Sequence, residues 1–179
     1  MEISDFFDDF MNRPIYKKLT VEILGSKEDN DIEQIVMDNI FELIGDNYEK
    51  EFQNFRKLTK GQQAMFSVWW VEAEVNNGGF NQFYFNSSGQ YAKMAVEGFE
   101  LFGATKFADL MRRANNIYIE NKDNLERFND GTIESFSESY QDNPLNVLDD
   151  EFYELHNTES LNELRIKYIR ENIAEFTQK

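Results

Sequence analysis

A chain of 179 residues without a Pro/Gly-rich linker has the length of one domain, and its 17 Phe supply a sizeable core. Eighteen basic residues stand against 34 acidic ones, a net charge of -16, which argues against nucleic acid as a direct ligand because that affinity comes chiefly from Lys and Arg on phosphates. No apolar run approaches the ~18 residues of a membrane span, no Cys is present for disulfide or thiolate chemistry, and MEISDFFDDF lacks the basic region of a secretory signal, so a cytoplasmic location is expected.

Apolar spacing predicts helices almost throughout, in one all-α domain over residues 1–179, with residues 1–28 as a peripheral N-terminal helical extension. Ser4 is placed to cap a short helix through Met11, and Pro14 prevents its simple continuation. Another short helix is expected over 16–24, ending at Gly25. Then Ile32, Ile35, Val36, Ile40, Leu43 and Ile44 recur at helical spacing over 30–44, and Gly45 closes the run. Residues 49–58 are a weaker helical pattern with Phe52 and Phe55 on one side. Thr59 followed three residues later by Gln62 is a capping box. It opens a central helix whose broad apolar face carries Met65, Phe66, Trp69, Trp70 and Ala73. Helices follow over 90–102, stopped by Gly103, over 105–120, and, around Pro144, over 132–140 and 149–156. Ser160 with Glu163 repeats the capping-box pattern and opens a last helix through Phe176. The sequence shows no strand alternation, repeat or low-complexity tract.

Residues 72–89, EAEVNNGGFNQFYFNSSG, carry the densest information. Four amides (Asn76, Asn77, Asn81 and Gln82) flank two adjacent glycines and a Phe-Tyr-Phe run. Gly78 and Gly79 read as a helix stop. The amides beyond it are suited to hydrogen-bond the carbonyls and turn backbone left open there. Phe80, Phe83, Tyr84 and Phe85 are suited to pin the turn to a core, giving a buried polar corner between two helices. Glu74 lies one turn earlier, where the helix macrodipole disfavours an acid by ~0.3–1 kcal/mol. Hydrogen bonds from N–H groups of the turn are the expected offset. The alternative is a ligand-binding carboxylate above Trp69 or Trp70.

On Glu74, Asn76, Asn77, Gly78, Gly79, Phe80, Gln82, Phe83, Phe85, Asn86 and Gly89 the sequence resembles the DNA-mimic proteins of the type called DNA mimic protein nineteen. A looser likeness runs through the Leu58 to Gln63 helix opening, the Gly98 to Ala104 junction and the Leu148 to Tyr153 acidic-aromatic segment, about residues 30–176 in all. The resemblance implies an acidic helical fold. It also implies, from the family's described member, occupation of the DNA-binding surface of a transcription factor.

Catalytic constellations are thin. His156 is the only histidine, so a multi-His metal site is impossible, and it reads as a surface or partly buried helix residue. No serine sits in a G-x-S-x-G elbow. With Gly131 at position 6 of a calcium loop, Phe128 falls at position 3 and Ser137 at position 12, so that register fails. Gly78-Gly79 lacks the Lys-Ser or Lys-Thr of a phosphate loop. Glu72, Glu74, Glu97 and Glu100 are carboxylates of the type glycoside chemistry pairs, but helical acids are usually surface or capping groups. No enzyme activity, cofactor or metal is expected.

The charge is unevenly spread. Residues 120–163 hold 13 acids against Lys122 and Arg127, a net of -11. Duplex DNA carries about one charge per ~1.7 Å, so this matches roughly 19 Å of duplex. Glu134, Glu138 and Asp142 recur at four-residue steps and Glu120, Asp123 and Glu126 at three-residue steps, the spacings that set side chains ~5–6 Å apart on a helix. The candidate partner-binding residues are Asp130, Glu134, Glu138 and Asp142, with Asp149, Asp150, Glu151 and Glu154 as a matched second set. The leading expectation is a decoy that binds the DNA-contacting face of a transcription factor or other basic DNA-binding protein and competes with DNA. One alternative is an immunity or antitoxin-like protein neutralising a basic toxin such as a nuclease. Another is a small-ligand binder or enzyme using the corner from Glu74 to Asn86, and the plainest is an acidic face that only aids solubility. Oligomeric state is open, with a monomer as the default.

Overall fold

The computed structural model describes residues 11–178. The helix that Ser4 was expected to cap lies outside the described residues, apart from its end at Met11. Ten α-helices follow: α1 (Val21–Gly25), α2 (Asp29–Ile44), α3 (Glu51–Phe55), α4 (Lys60–Phe85), α5 (Ala92–Phe102), α6 (Thr105–Glu120), α7 (Lys122–Glu126), α8 (Ile133–Glu138), α9 (Asp149–Leu155) and α10 (Leu161–Glu171). Four 3-10 turns, Tyr48–Lys50, Ser87–Tyr91, Asn146–Leu148 and Ile173–Phe176, complete an all-α fold with no strand among the described residues.

The long helix α4 is the axis, and its start is fixed as the sequence predicts. The Gln62 N–H donates to the Thr59 hydroxyl at 3.2 Å, and the Thr59 N–H donates to Gln62 Oε1 at 3.0 Å. Helix α5 packs along α4, α6 pairs with α5, α9 lies against α4 and α6, and α10 runs beside α2. The α4–α5 crossing depends on Gly98. A Cβ there would stand 3.0 Å from Val68 Cγ2 and 3.1 Å from Ala64 Cα, so any side chain would push the helices apart. The core is largely aromatic. Phe99 lies 5.5 Å from Phe107, Phe107 5.4 Å from Phe152, and Phe152 5.8 Å from Phe80. These buried rings link α5, α6, α9 and α4 in one continuous cluster.

Three charged or polar ties bind the periphery. Arg165 of α10 is 6% exposed and reaches both Glu33 of α2, at 2.9 Å, and Glu72 of α4. Arg13 forks onto Asp38 at 2.6 and 2.7 Å. Leu19 and Gln178 exchange bonds, Leu19 N–H to Gln178 Oε1 at 2.6 Å and Gln178 N–H to the Leu19 carbonyl at 3.0 Å. This last tie explains a departure from the expected helix over 16–24. The backbone of Leu19 is occupied by the C-terminal segment, so helix α1 starts only after Thr20 caps it. The 49–58 pattern becomes a 3-10 turn plus the short α3. Residues 87–91 are 3-10, so α5 begins at Ala92. The last helix ends at Glu171 instead of running through Phe176, and only the forward half of its capping box forms, Glu163 N–H to the Ser160 hydroxyl at 3.4 Å. Helix α7 had no clear signal in the sequence.

Candidate functional site

Helix α4 breaks where the sequence places its glycine pair. Gly78 lies at φ -159, ψ 29 and Gly79 at φ 71, ψ -178, and a second arm continues from Phe80 to Phe85. The positive φ at Gly79 suits glycine alone, and a Cβ there would stand 2.7 Å from the Asp149 carboxyl carbon. The break opens carbonyls at the end of one arm and N–H groups at the start of the next. The Tyr153 hydroxyl donates to the Val75 carbonyl at 2.8 Å, the Tyr140 hydroxyl to the Gly78 carbonyl at 2.9 Å, and the Phe80 N–H to Asp149 Oδ1 at 2.8 Å. Two distant phenols and a carboxylate therefore close the corner, in place of the neighbouring amides the sequence suggested.

The amides serve other groups. Gln82 Nε2 and Asn86 Nδ2 donate to Glu74 Oε2 at 2.6 and 2.9 Å, and the Ser88 hydroxyl donates to Glu74 Oε1 at 3.2 Å. Glu74 is 7% exposed, with both oxygens engaged. The expected offset to its unfavourable helix position is present, supplied by side chains. Asn81 Nδ2 donates to the Ser139 hydroxyl at 2.7 Å, while Asn81 Oδ1 accepts from Asn143 Nδ2 at 2.7 Å. Asn143 also donates to the Ser139 carbonyl at 2.8 Å and accepts from the Leu145 N–H at 2.9 Å. Phe80 and Phe83 are core residues, Gly89 lies in the 3-10 turn beyond, and Asn76 and Asn77 are exposed on the last turn of the first arm. As partners of the corner, Ser139, Tyr140, Asn143 and Tyr153 escaped the sequence reading. They lie 58 to 78 residues from their partners, and no periodicity marks such pairs.

The corner thus receives the acidic segment. Asp130 accepts from the Thr132 N–H at 2.9 Å and from the Thr132 and Ser135 hydroxyls at 2.8 and 2.7 Å. These donors hold its carboxyl below the usual range and start α8. Glu134 and Glu138 project from α8 into solvent. Asp142 is exposed but lies past the helix end at φ 51, so the three do not form one helical row. Nor do Glu120, Asp123 and Glu126, because the helix is interrupted at Asn121 between α6 and α7. A groove of about 450 Å³ between α7 and residues 138–144 brings Glu138 and Asp142 to its wall. In the second set, Asp149 is half-buried at the corner, where burial, opposed by the Phe80 N–H, pushes its carboxyl up. Glu151 is forked by Arg113. Asp150 and Glu154 are exposed. Glu134, Glu138, Asp142, Asp150 and Glu154 have no ion-pair partner among the described residues. Glu159, which the sequence reading did not single out, accepts from the Lys106 and Phe107 N–H groups at 3.2 and 3.3 Å and caps α6.

Among the described residues no group of three His, Cys, Asp or Glu is placed to hold a metal ion, and no helix is long and apolar enough to cross a membrane. His156 is exposed just beyond α9, its ring edge-on to Phe107 and Phe152. Neither a curated protein nor a solved structure matches the chain significantly. The sequence profile of the DMP19-like proteins matches residues 56–172, a span holding the glycine break, the amides on Glu74 and the whole acidic segment docked there; the chain belongs to the DMP19-like protein family.

Proposed function

We propose that this protein is a non-catalytic DNA mimic. Its acidic segment occupies the DNA-contacting surface of a basic DNA-binding protein, such as a transcription factor, and competes with DNA for it. The observation that carries this reading is the docking of residues 120–163, net -11, onto the corner that marks the family. Side-chain and backbone bonds to Asn81, Gly78 and Phe80 seat the charged surface on the frame of the corner. Glu134, Glu138, Asp142, Asp150 and Glu154 are the contacting carboxylates, because they are exposed and unpaired with Lys or Arg among the described residues. Asp130, Asp149 and Glu151 act through the frame. The family membership supports mimicry. The engagement of both Glu74 oxygens by Gln82, Asn86 and Ser88 supports a structural corner over a catalytic one. The partner encounter takes place in the cytoplasm, between this protein as a monomer and a basic protein.

Competition tests the reading directly. Labelled operator DNA is bound to its repressor and this protein is titrated in; released DNA is the expected result, with affinity that falls as salt rises. Glu134→Gln, Glu138→Gln, Asp142→Asn, Asp150→Asn and Glu154→Gln together should weaken that competition at least tenfold while the thermal midpoint stays near wild type, since exposed acids contribute little stability. A partner that binds this protein and DNA at the same time would sink mimicry and point to an adaptor or toxin-neutralising role.

A further inference from the structure

A second feature lies away from the acidic segment. A groove of about 350 Å³ opens between the Tyr48–Lys50 turn with the start of α3 and the Ser87–Tyr91 turn, walled by Tyr48, Glu49, Glu51, Phe52, Ser87 and Gln90. Two walls are aromatic and open to solvent, Tyr48 at 68% exposure and Phe52 at 38%. Phe52 is nonetheless held in place, its ring 5.9 Å from both Phe55 and Tyr91. Glu51 is fixed too, accepting from the Tyr91 hydroxyl at 2.6 Å. The exposed Glu49 has no cation partner among the described residues. No Lys or Arg lines the groove; Lys50, on the same turn, is not one of its walls.

We propose that this groove seats an arginine side chain of a protein partner, its guanidinium over the Tyr48 and Phe52 rings with its N–H groups on the Glu49 and Glu51 carboxylates. An apolar occupant would bury the Glu49 carboxylate without a partner, which is costly. An anionic occupant, or a second copy of this chain with its own charge of -16, meets like charge. An arginine satisfies both kinds of wall, offering a planar face to stack on aromatics and a rigid fork for carboxylates. Pre-fixed Phe52 and Glu51 reduce the ordering cost of binding. The proposal rests on these residues and on a basic partner of any kind, so it holds or fails separately from DNA competition.

The test uses isotopically labelled full-length protein and the peptide acetyl-Gly-Gly-Arg-Gly-Gly-amide, with its citrulline counterpart as a neutral isostere. At low salt the arginine peptide should shift the ring resonances of Tyr48 and Phe52, and the citrulline peptide should not. Tyr48→Ala should weaken arginine-peptide binding about two- to fivefold, the value of one exposed cation–π contact, and Glu49→Gln should weaken it similarly. Both residues are exposed, so the variants retain the fold, checked by circular dichroism. Equal shifts with citrulline, shifts confined to residues 130–154, or unchanged binding by folded Tyr48→Ala would overturn the proposal. With a basic partner in hand the two readings separate. Full affinity in Tyr48→Ala beside loss in the five-acid variant rejects the groove and keeps mimicry; the converse rejects mimicry and keeps the groove.

Discussion

Asn81 has a partner for each of its two polar atoms, and both partners belong to the acidic segment. Its truncation to Ala leaves the Ser139 hydroxyl and the Asn143 amide short of a buried bond, so Asn81→Ala should cost ~1–3 kcal/mol in chemical denaturation. A variant of wild-type stability would show that water replaces these bonds freely. Asp149 separates charge from hydrogen bonding. Burial raises its carboxyl, so the native fold favours the neutral form, while Oδ1 still serves the Phe80 N–H. Asp149→Asn keeps an acceptor and should be neutral or stabilising at pH 7, whereas Asp149→Ala loses the cap and should cost ~0.5–2 kcal/mol. Equal losses in both would mean that the charge itself is needed. At this scale the sequence was half legible. Glycines announce a break and amides announce a polar corner, because their chemistry is local. Which amide meets which acceptor depends on chain brought in from far away, as with Tyr140 on Gly78 and Tyr153 on Val75.

Most helices could be read from caps and spacing. Thr59 and Gln62 form their box, and the helix expected over 105–120 has those bounds. Helix starts were lost where tertiary bonds took over the backbone, as at Leu19, which pairs with Gln178. Helix α7 escaped because Leu125 is the one apolar residue among its five, so no apolar period marks them. Among the ties between elements the Glu33–Arg165–Glu72 triad is the most exposed to test. One guanidinium faces two carboxylates with little solvent, and burial raises the Glu33 carboxyl despite Arg165. Arg165→Ala leaves two acids together between α2 and α4 and should cost ~3–5 kcal/mol. Glu33→Gln removes the excess charge and should be far milder, read from urea midpoints. If the two substitutions cost the same, the triad acts by packing alone.

Across the whole molecule a charge of -16 works against the compact state. The raised carboxyls of Glu33 and Asp149 act in the same direction. Because their native values lie above the unfolded ones, the stability they contribute is full below about pH 4 and is lost as pH rises through the native values. Glu22 and Asp130, held low by hydrogen bonds, contribute above about pH 4 and lose that only in stronger acid. Thermal midpoints should therefore rise as the pH is lowered from 8 towards the ordinary carboxylate range. Added salt at pH 8 should raise them too. A midpoint that falls steadily over that interval would refute the assignment.

No side chain of α7 or α8 is fully buried, and across residues 121–142 only Ser139 is fully enclosed. What holds this stretch is two polar bonds to Asn81 and Gly78, the Phe136 ring against Phe85 and the half-buried Leu125 on the edge of the core. Such a unit has little apolar area to lose on opening, so it should detach at far less cost than unfolding the aromatic core. Amide protons there should exchange with deuterium orders of magnitude sooner than those of the first arm of α4. Any ligand that grips the closed form must then contend with the open fraction, and its observed affinity is reduced by that fraction. Protection of 121–142 on complex formation would report the closing; exchange as slow as the core in the free protein would show a stiffer molecule than these contacts imply. Residues at the latch, Asn81 above all, would tune partner affinity without touching the partner.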